Sequence, residues 1–211
     1  MPAYFSLSFQ YKKSNLNENT VRDFYIALLE CGLDFKSGYY ETENDTFLDI
    51  ILWNKKKLDE NFELGYDEHC SHDYKQMLFN YNDFSEVRLF MFNIEDEDTF
   101  YFYLIIPEED FILYEEENEI HKIVRLKDRM KLIEDLAINM WEKECIECIQ
   151  TGWECSDMEP SIEDIIKGYK PCIEPFCIVP ERVACKDWAC STSKIGRNGI
   201  FLKNDDNWFY L

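Results

Sequence analysis

The residues of this sequence best suited to chemistry are its thiols and imidazoles. Nine cysteines occur, and seven lie beyond residue 144: Cys145, Cys148, Cys155, Cys172, Cys177, Cys185 and Cys190. Cys145-Ile146-Glu147-Cys148 has the CxxC spacing that lets two thiolates reach one zinc ion. A closed structural zinc site needs four ligands, and no second CxxC or paired histidine motif supplies the other two. The pairs Cys172/Cys177 and Cys185/Cys190 are more widely spaced. If Cys145 and Cys148 lie in a strand, their sulfurs point to opposite faces. A redox CxxC opens a helix after a strand, whereas this one follows a helical stretch. The cysteines therefore read as small buried hydrophobes. Their odd number, in a chain with no basic leader and apolar run at its start, predicts reduced thiols in a cytoplasmic protein.

His69-Cys70-Ser71-His72 gathers three potential metal ligands in four residues, beside Asp67, Glu68 and Asp73. A catalytic zinc takes three protein ligands and keeps one position open. Residues this close in sequence need a distant group to complete the shell, and His121 is the remaining histidine. The cluster and the C-terminal cysteines define one function class, a metal-dependent or thiol enzyme. The default for the cluster is a solvated loop, so no metal and no cofactor are expected. Nucleophile-elbow, P-loop and dinucleotide motifs are missing from the sequence. Its seven glycines do not cluster as a phosphate cradle requires.

Carboxylates are the more informative chemistry. The chain of 211 residues carries 43 Asp and Glu against 22 Lys and Arg, a formal net charge of -21. Such a field repels nucleic acid and anionic lipid and steers basic partners inward. Between residues 94 and 119 lie Glu95, Asp96, Glu97, Asp98, Glu108, Glu109, Asp110, Glu115, Glu116, Glu117 and Glu119, with no Lys or Arg. Phe100, Tyr101, Phe102, Tyr103, Phe111 and Tyr114 are interleaved with them. Acidic side chains steer an encounter and aromatic ones anchor it. Glu95, Asp96, Glu97, Asp98, Glu108, Glu109, Asp110, Glu115, Glu116 and Glu117 are accordingly the expected partner-binding residues.

The elements that must position these groups follow from periodicity. Residues 77–81, 87–92 and 100–106 are apolar, rich in aromatic and β-branched side chains, and separated by short polar turns, which predicts a three-strand antiparallel meander. Phe5, Leu7, Phe9 and Tyr11 alternate with Ser6, Ser8 and Gln10 as in a half-buried strand. Val21, Phe24, Tyr25, Leu28 and Leu29 recur at helical spacing, with Gly32 placed to end the helix. Residues 35–42 suggest a strand returning beside the first. Residues 46–62 fit a helix better than a buried strand. The acidic segment after Pro107 reads as a short helix or irregular. Leu126, Met130, Ile133, Ala137, Met140 and Trp141 line one face of the strongest helix, yet Lys127, Arg129 and Lys131 sit at its unfavourable, N-terminal end. Residues 146–153 suit a strand, Ser161 to Asp164 a capped short helix, and residues 173–179 an edge or extended segment around Pro175. Asn198-Gly199 marks a turn, with residues 200–203 and 208–211 as its hairpin strands.

The expected fold is α+β: a mostly antiparallel sheet centred on the meander, two or three packing helices and an irregular cysteine-rich C-terminal region. It forms a single domain over residues 1–211, with a sub-boundary, if any, near 145. No run reaches the ~18 apolar residues of a membrane span. This overall character, acidic, aromatic-rich, α+β and without catalytic motifs, resembles the immunity proteins of bacterial polymorphic toxin systems. That resemblance implies a cytoplasmic protein that binds and neutralises a basic toxin such as a nuclease.

Overall fold

The computed structural model describes residues 3–60, 74–93, 97–117, 120–143, 145–153, 159–189 and 191–204. The chain is α+β, built on a nine-stranded antiparallel sheet. Its strands are β1 (Tyr4–Lys12), β2 (Asp34–Gly38), β3 (Met77–Asn80), β4 (Val87–Asn93), β5 (Thr99–Pro107), β8 (Cys148–Trp153), β9 (Phe176–Pro180), β10 (Ser191–Ile195) and β11 (Gly199–Lys203). Their spatial order is β10-β11-β9-β8-β1-β5-β4-β3-β2. The middle strand is β1, so the N-terminal strand, rather than the run from residue 77 to 106, is the centre of the sheet. β6 (Ile112–Glu117) and β7 (Ile120–Arg125) pair separately as a two-stranded ribbon.

The period of two along β1 assigns each residue to a face. Phe5, Leu7, Phe9 and Tyr11 face Ile106, Leu104, Phe102 and Phe100 on β5. These side chains form one core with α1 (Thr20–Glu30), α2 (Phe47–Asp59) and α3 (Lys127–Trp141). Phe24 of α1 stacks on Phe102 at 3.9 Å between ring centres, within 7° of parallel. Burying each such ring contributes roughly 1.5–3 kcal/mol. α2 opens with a capping box in which the Thr46 side chain accepts from Asp49 N and the Asp49 side chain accepts from Thr46 N, which helps settle residues 47–59 as helix. Buried Asn54 then ties α2 to the start of β3, accepting from Lys75 N and donating to Lys75 O and Tyr25 Oη.

Two of the three cations at the start of α3, Arg129 and Lys131, have a local reason. Arg129 donates to the Asp110 carboxylate at 2.5 Å, and Lys131 lies 2.8 Å from Asp135. These contacts offset the unfavourable macrodipole.

Several expectations are corrected. β2 lies at the far edge beside β3, not beside β1, because residues 34–38 pair with 77–80. Residues 112–117 and 120–125 form the β6–β7 ribbon rather than a helix or coil. The C-terminal part is regular in its described residues: β8, β9, β10 and β11 extend the main sheet. β9 is an interior strand between β8 and β11, since Pro175 precedes it and leaves its own ladder intact. The last hairpin pairs β10 with β11. Its turn puts Arg197 and Asn198 at φ 50° and 53°, and Gly199 N donates to Gly196 O, as a twist-matched two-residue turn requires. Residues 208–211 lie outside the described residues.

The opposite face of the sheet carries a second, smaller core. There α4 (Ile162–Ile166) packs Ile162 and Ile165 on Cys148, Cys177, Val179, Ile200 and Leu202. Ser161 caps α4 by accepting from Asp164 N. Ser8 and Gln10, which alternation assigns to a half-buried strand's outer face, are fully buried on this side.

Candidate functional site

The acidic residues singled out in the sequence divide between the two ends of β5. Glu97 and Asp98 are exposed in the turn from β4 to β5; Glu95 and Asp96 lie outside the described residues. Glu108, Glu109 and Asp110 form a single 3-10 turn after the other end of β5. Nine residues of strand at ~3.3 Å each separate the two groups by roughly 30 Å. They do not form one patch.

Asp110 is not a docking residue. It is 5% exposed and accepts from Ser85 N at 2.9 Å, Ser85 Oγ at 2.7 Å and Arg129 Nη1 at 2.5 Å. It joins the β3–β4 loop to α3. Asp110→Ala is expected to destabilise the protein by about 2 kcal/mol, below the usual 3–5 for a buried pair because Arg129 retains some solvent. Urea unfolding measures this, and a loss under about 0.5 kcal/mol would mean that the pair is dispensable.

Glu108, Glu109 and Glu115 do share one region. Glu109 and Glu115 are exposed, and Glu108 is half-buried. Tyr114 of β6 donates its hydroxyl to Glu108 at 2.6 Å, which raises the Tyr114 pKa above the ordinary phenol value. Tyr114 is 67% exposed and its neighbour Leu113 is 45% exposed. Glu116 and Glu117 continue β6, paired with His121 and Ile120 of β7. Of the aromatic residues interleaved with the acids, Phe100, Phe102 and Phe111 are buried in the helical-side core and Tyr101 is 4% exposed. Tyr114 is the exposed member of that set, and Tyr103 is half-buried.

The two thiols of the CxxC do not converge. Cys145 packs against the helical-side core, while Cys148 belongs to the smaller core on the other face. Their CxxC spacing straddles the sheet. Cys148 and Cys177 are fully buried, and burial pushes both thiol pKa values up, away from the thiolate that nucleophilic or metal chemistry needs. Among the described residues no group of three His, Cys, Asp or Glu could hold a metal ion. His69, Cys70 and His72 lie outside the described residues. A cleft of about 330 Å³ beside α1 is lined in part by Tyr11, Asp23, Glu30, Lys143 and Cys145. Lys143 is paired with Glu30 at 2.6 Å there.

A second polar constellation escapes sequence reading. Glu159 comes down on the α4 side of the sheet, where its carboxyl meets Ser8 Oγ, Ser6 Oγ at 3.5 Å and the Tyr103 hydroxyl. Burial pushes its pKa up to about 7, against the lowering effect of those hydroxyls, and Glu174 adds repulsion. The next residue is clamped as well: Pro160 O accepts from Gln10 Nε2 at 3.1 Å and from Gln150 Nε2 at 2.8 Å. Beside Tyr103, the Phe90 ring stacks at 5.0 Å and Tyr101 at 5.7 Å. The one signal in the sequence was a central strand whose second face held Ser, Ser and Gln but, between Tyr4 and Lys12, no charge. Such residues suit a buried polar face better than a solvated one.

No helix among the described residues is long and apolar enough to cross a membrane. Comparison with protein-family models, curated proteins and solved structures finds no match to this chain.

Proposed function

We propose that this chain is a protein-binding protein, an immunity protein of the bacterial toxin-neutralising kind that docks on a basic toxin such as a nuclease in the cytoplasm. The observation that carries the reading is the β6–β7 ribbon: Leu113 and Tyr114 stand exposed on its alternate faces, with Glu108 bonded to Tyr114 and with Glu109 and Glu115 exposed nearby in sequence. A ribbon outside the main sheet offers an apolar contact that a partner can cover. The carboxylates around it, in a chain of net charge -21, favour a basic surface and disfavour nucleic acid.

The test is a pull-down with the product of the neighbouring gene as candidate partner, followed by association kinetics at two salt concentrations. Rim charges act on the on-rate and anchors on the off-rate. Changing Glu108, Glu109 and Glu115 together to Gln should slow association and flatten its salt dependence, since screening sets in over ~10 Å at 0.1 M. Tyr114→Ala should raise the off-rate about tenfold, the ~1.4 kcal/mol of a moderate anchor. Changing Glu97 and Asp98 to amides, at the far end of β5, should do little. Unchanged kinetics in the first two variants would remove the ribbon from the interface.

A further inference from the structure

We infer that Glu159, with the ring ladder of Phe90, Tyr101 and Tyr103 beside it, forms a receptor for one cationic side chain, a lysine or arginine of the protein partner. This rests on the basic-partner reading but concerns a different site from the ribbon.

Glu159 is surrounded by hydroxyls rather than by a cation. Ser6, Ser8 and Tyr103 engage its carboxyl, and no Lys or Arg pairs with it among the described residues. A carboxylate offers about four lone-pair positions. Three hydroxyls fill three, and the fourth is left for one further N–H donor. Nor is the hydroxyl set committed to the carboxylate. Ser8 Oγ also lies 3.4 Å from Gln150 O and Ser6 Oγ 3.1 Å from Gly152 O, so each serine has one proton and two acceptors. When Glu159 is protonated, its own O–H can donate to Ser8 while the serines donate to backbone. When it ionises, the serine protons turn to it. The cup is built to hold either state, and an incoming cation selects the ionised one.

The surroundings favour a cation over any other ligand. Glu159, Ser6, Tyr103, Phe90 and Phe92 are all half-buried, so the cup is reached by solvent. Phe90 and Tyr103 stack within 9° of parallel, and Phe92 meets Tyr101 and Tyr103 edge-on at 5.8 and 6.3 Å. Such faces attract ammonium and guanidinium groups. Gln10, fully buried on the same face, keeps its Oε1 without a hydrogen-bond donor. The charges on the packed elements are accounted for. On β4, Arg88 is held by Glu86 at 3.6 Å and lies over the rings of Tyr4 and Tyr39. On β1, Lys12 pairs with Glu163 at 3.3 Å. On α4, Asp164 pairs with Lys167 at 2.9 Å. Glu174 adds negative charge toward Glu159, and Tyr101, Tyr103, Cys148 and Cys172 are the other titratable groups there.

The test uses the chain alone with two small probes, acetyl-arginine methylamide and its neutral isostere acetyl-citrulline methylamide, at matched ionic strength. The Glu159 carboxyl carbon, labelled with 13C, is followed by NMR from pH 5 to 9. The arginine probe should lower the Glu159 midpoint and bind about tenfold more tightly per pH unit up to about pH 7, levelling off above it. The citrulline probe should do neither. Glu159→Gln should abolish the pH dependence, and Phe90→Ala, which leaves the carboxyl cluster intact, should weaken binding severalfold. Equal binding of the two probes, or an unchanged pH profile in Glu159→Gln, would overturn the inference. The ribbon kinetics are independent of this result, so failure of either reading is recognised separately.

Discussion

Phe102→Ala is expected to lower the unfolding free energy by about 4 kcal/mol, the upper range for emptying a buried aromatic site. Phe102 is completely buried on β5, and its ring is where the helical layer meets the sheet. Phe24 stacks on it at 3.9 Å, Tyr11 and Tyr25 meet it at 5.6 and 5.9 Å, and Phe100 meets it at 5.0 Å. Removing the ring leaves four aromatic side chains around a void, and rigid rings collapse into a void poorly. A total stability of ~5–15 kcal/mol would lose about a quarter or more, and the melting point would fall by roughly 10 °C. Phe102→Leu, which keeps most of the volume, should cost about 1–2 kcal/mol. Urea unfolding of both variants measures the difference. If the alanine variant lost less than about 1 kcal/mol, the α1–β5 contact would not be the centre of this core.

The parts of the fold legible in the sequence were those in which a single period dominates. The clean alternation of Phe5, Leu7, Phe9 and Tyr11 marked β1, and the helical spacing of Val21, Phe24, Tyr25 and Leu28 marked α1. The sequence-distant pairings were not legible. β1 is flanked by β5 and β8, nearly a hundred and more residues away, and no local pattern encodes that choice. Charge misled the reading of residues 112–117: the run of Glu115, Glu116 and Glu117 resembles a solvated helix face, but cross-strand pairing with residues 120–125 overrides propensity. Contiguity in sequence suggests a single surface for the acidic set. A fully extended β5 separates its halves, and Asp110 is withdrawn into an ion pair. Glu159 could not be found at all. It lies in a stretch without periodicity, and only the tertiary contact with Ser6, Ser8 and Tyr103 gives a glutamate there an unusual environment.

That environment makes the stability of this protein depend on pH in an unusual direction. Burial raises the Glu159 pKa to about 7 from an ordinary 4.5. Between these two values the folded state holds a proton that the unfolded state has released. Stability from this group is therefore fully present below about pH 4.5 and is lost as the pH rises through about 7. A shift of that size corresponds to roughly 3 kcal/mol at ~1.4 kcal/mol per unit. Glu159→Gln isolates the contribution, because its amide mimics the protonated carboxyl and cannot ionise, while every other titrating group is retained. At pH 5 the variant and the parent should unfold at nearly the same urea concentration. At pH 8.5 the variant should be the more stable by about 3 kcal/mol. The difference should develop chiefly between pH 5 and 7, the interval in which the folded protein alone holds the proton. The clamp of Gln10 and Gln150 on Pro160 O should keep α4 docked in both forms, so α4 should melt with the sheet rather than separately. Parallel stability curves for the two proteins from pH 5 to 8.5 would show that Glu159 titrates as an ordinary glutamate, its charge as well accommodated in the fold as in water.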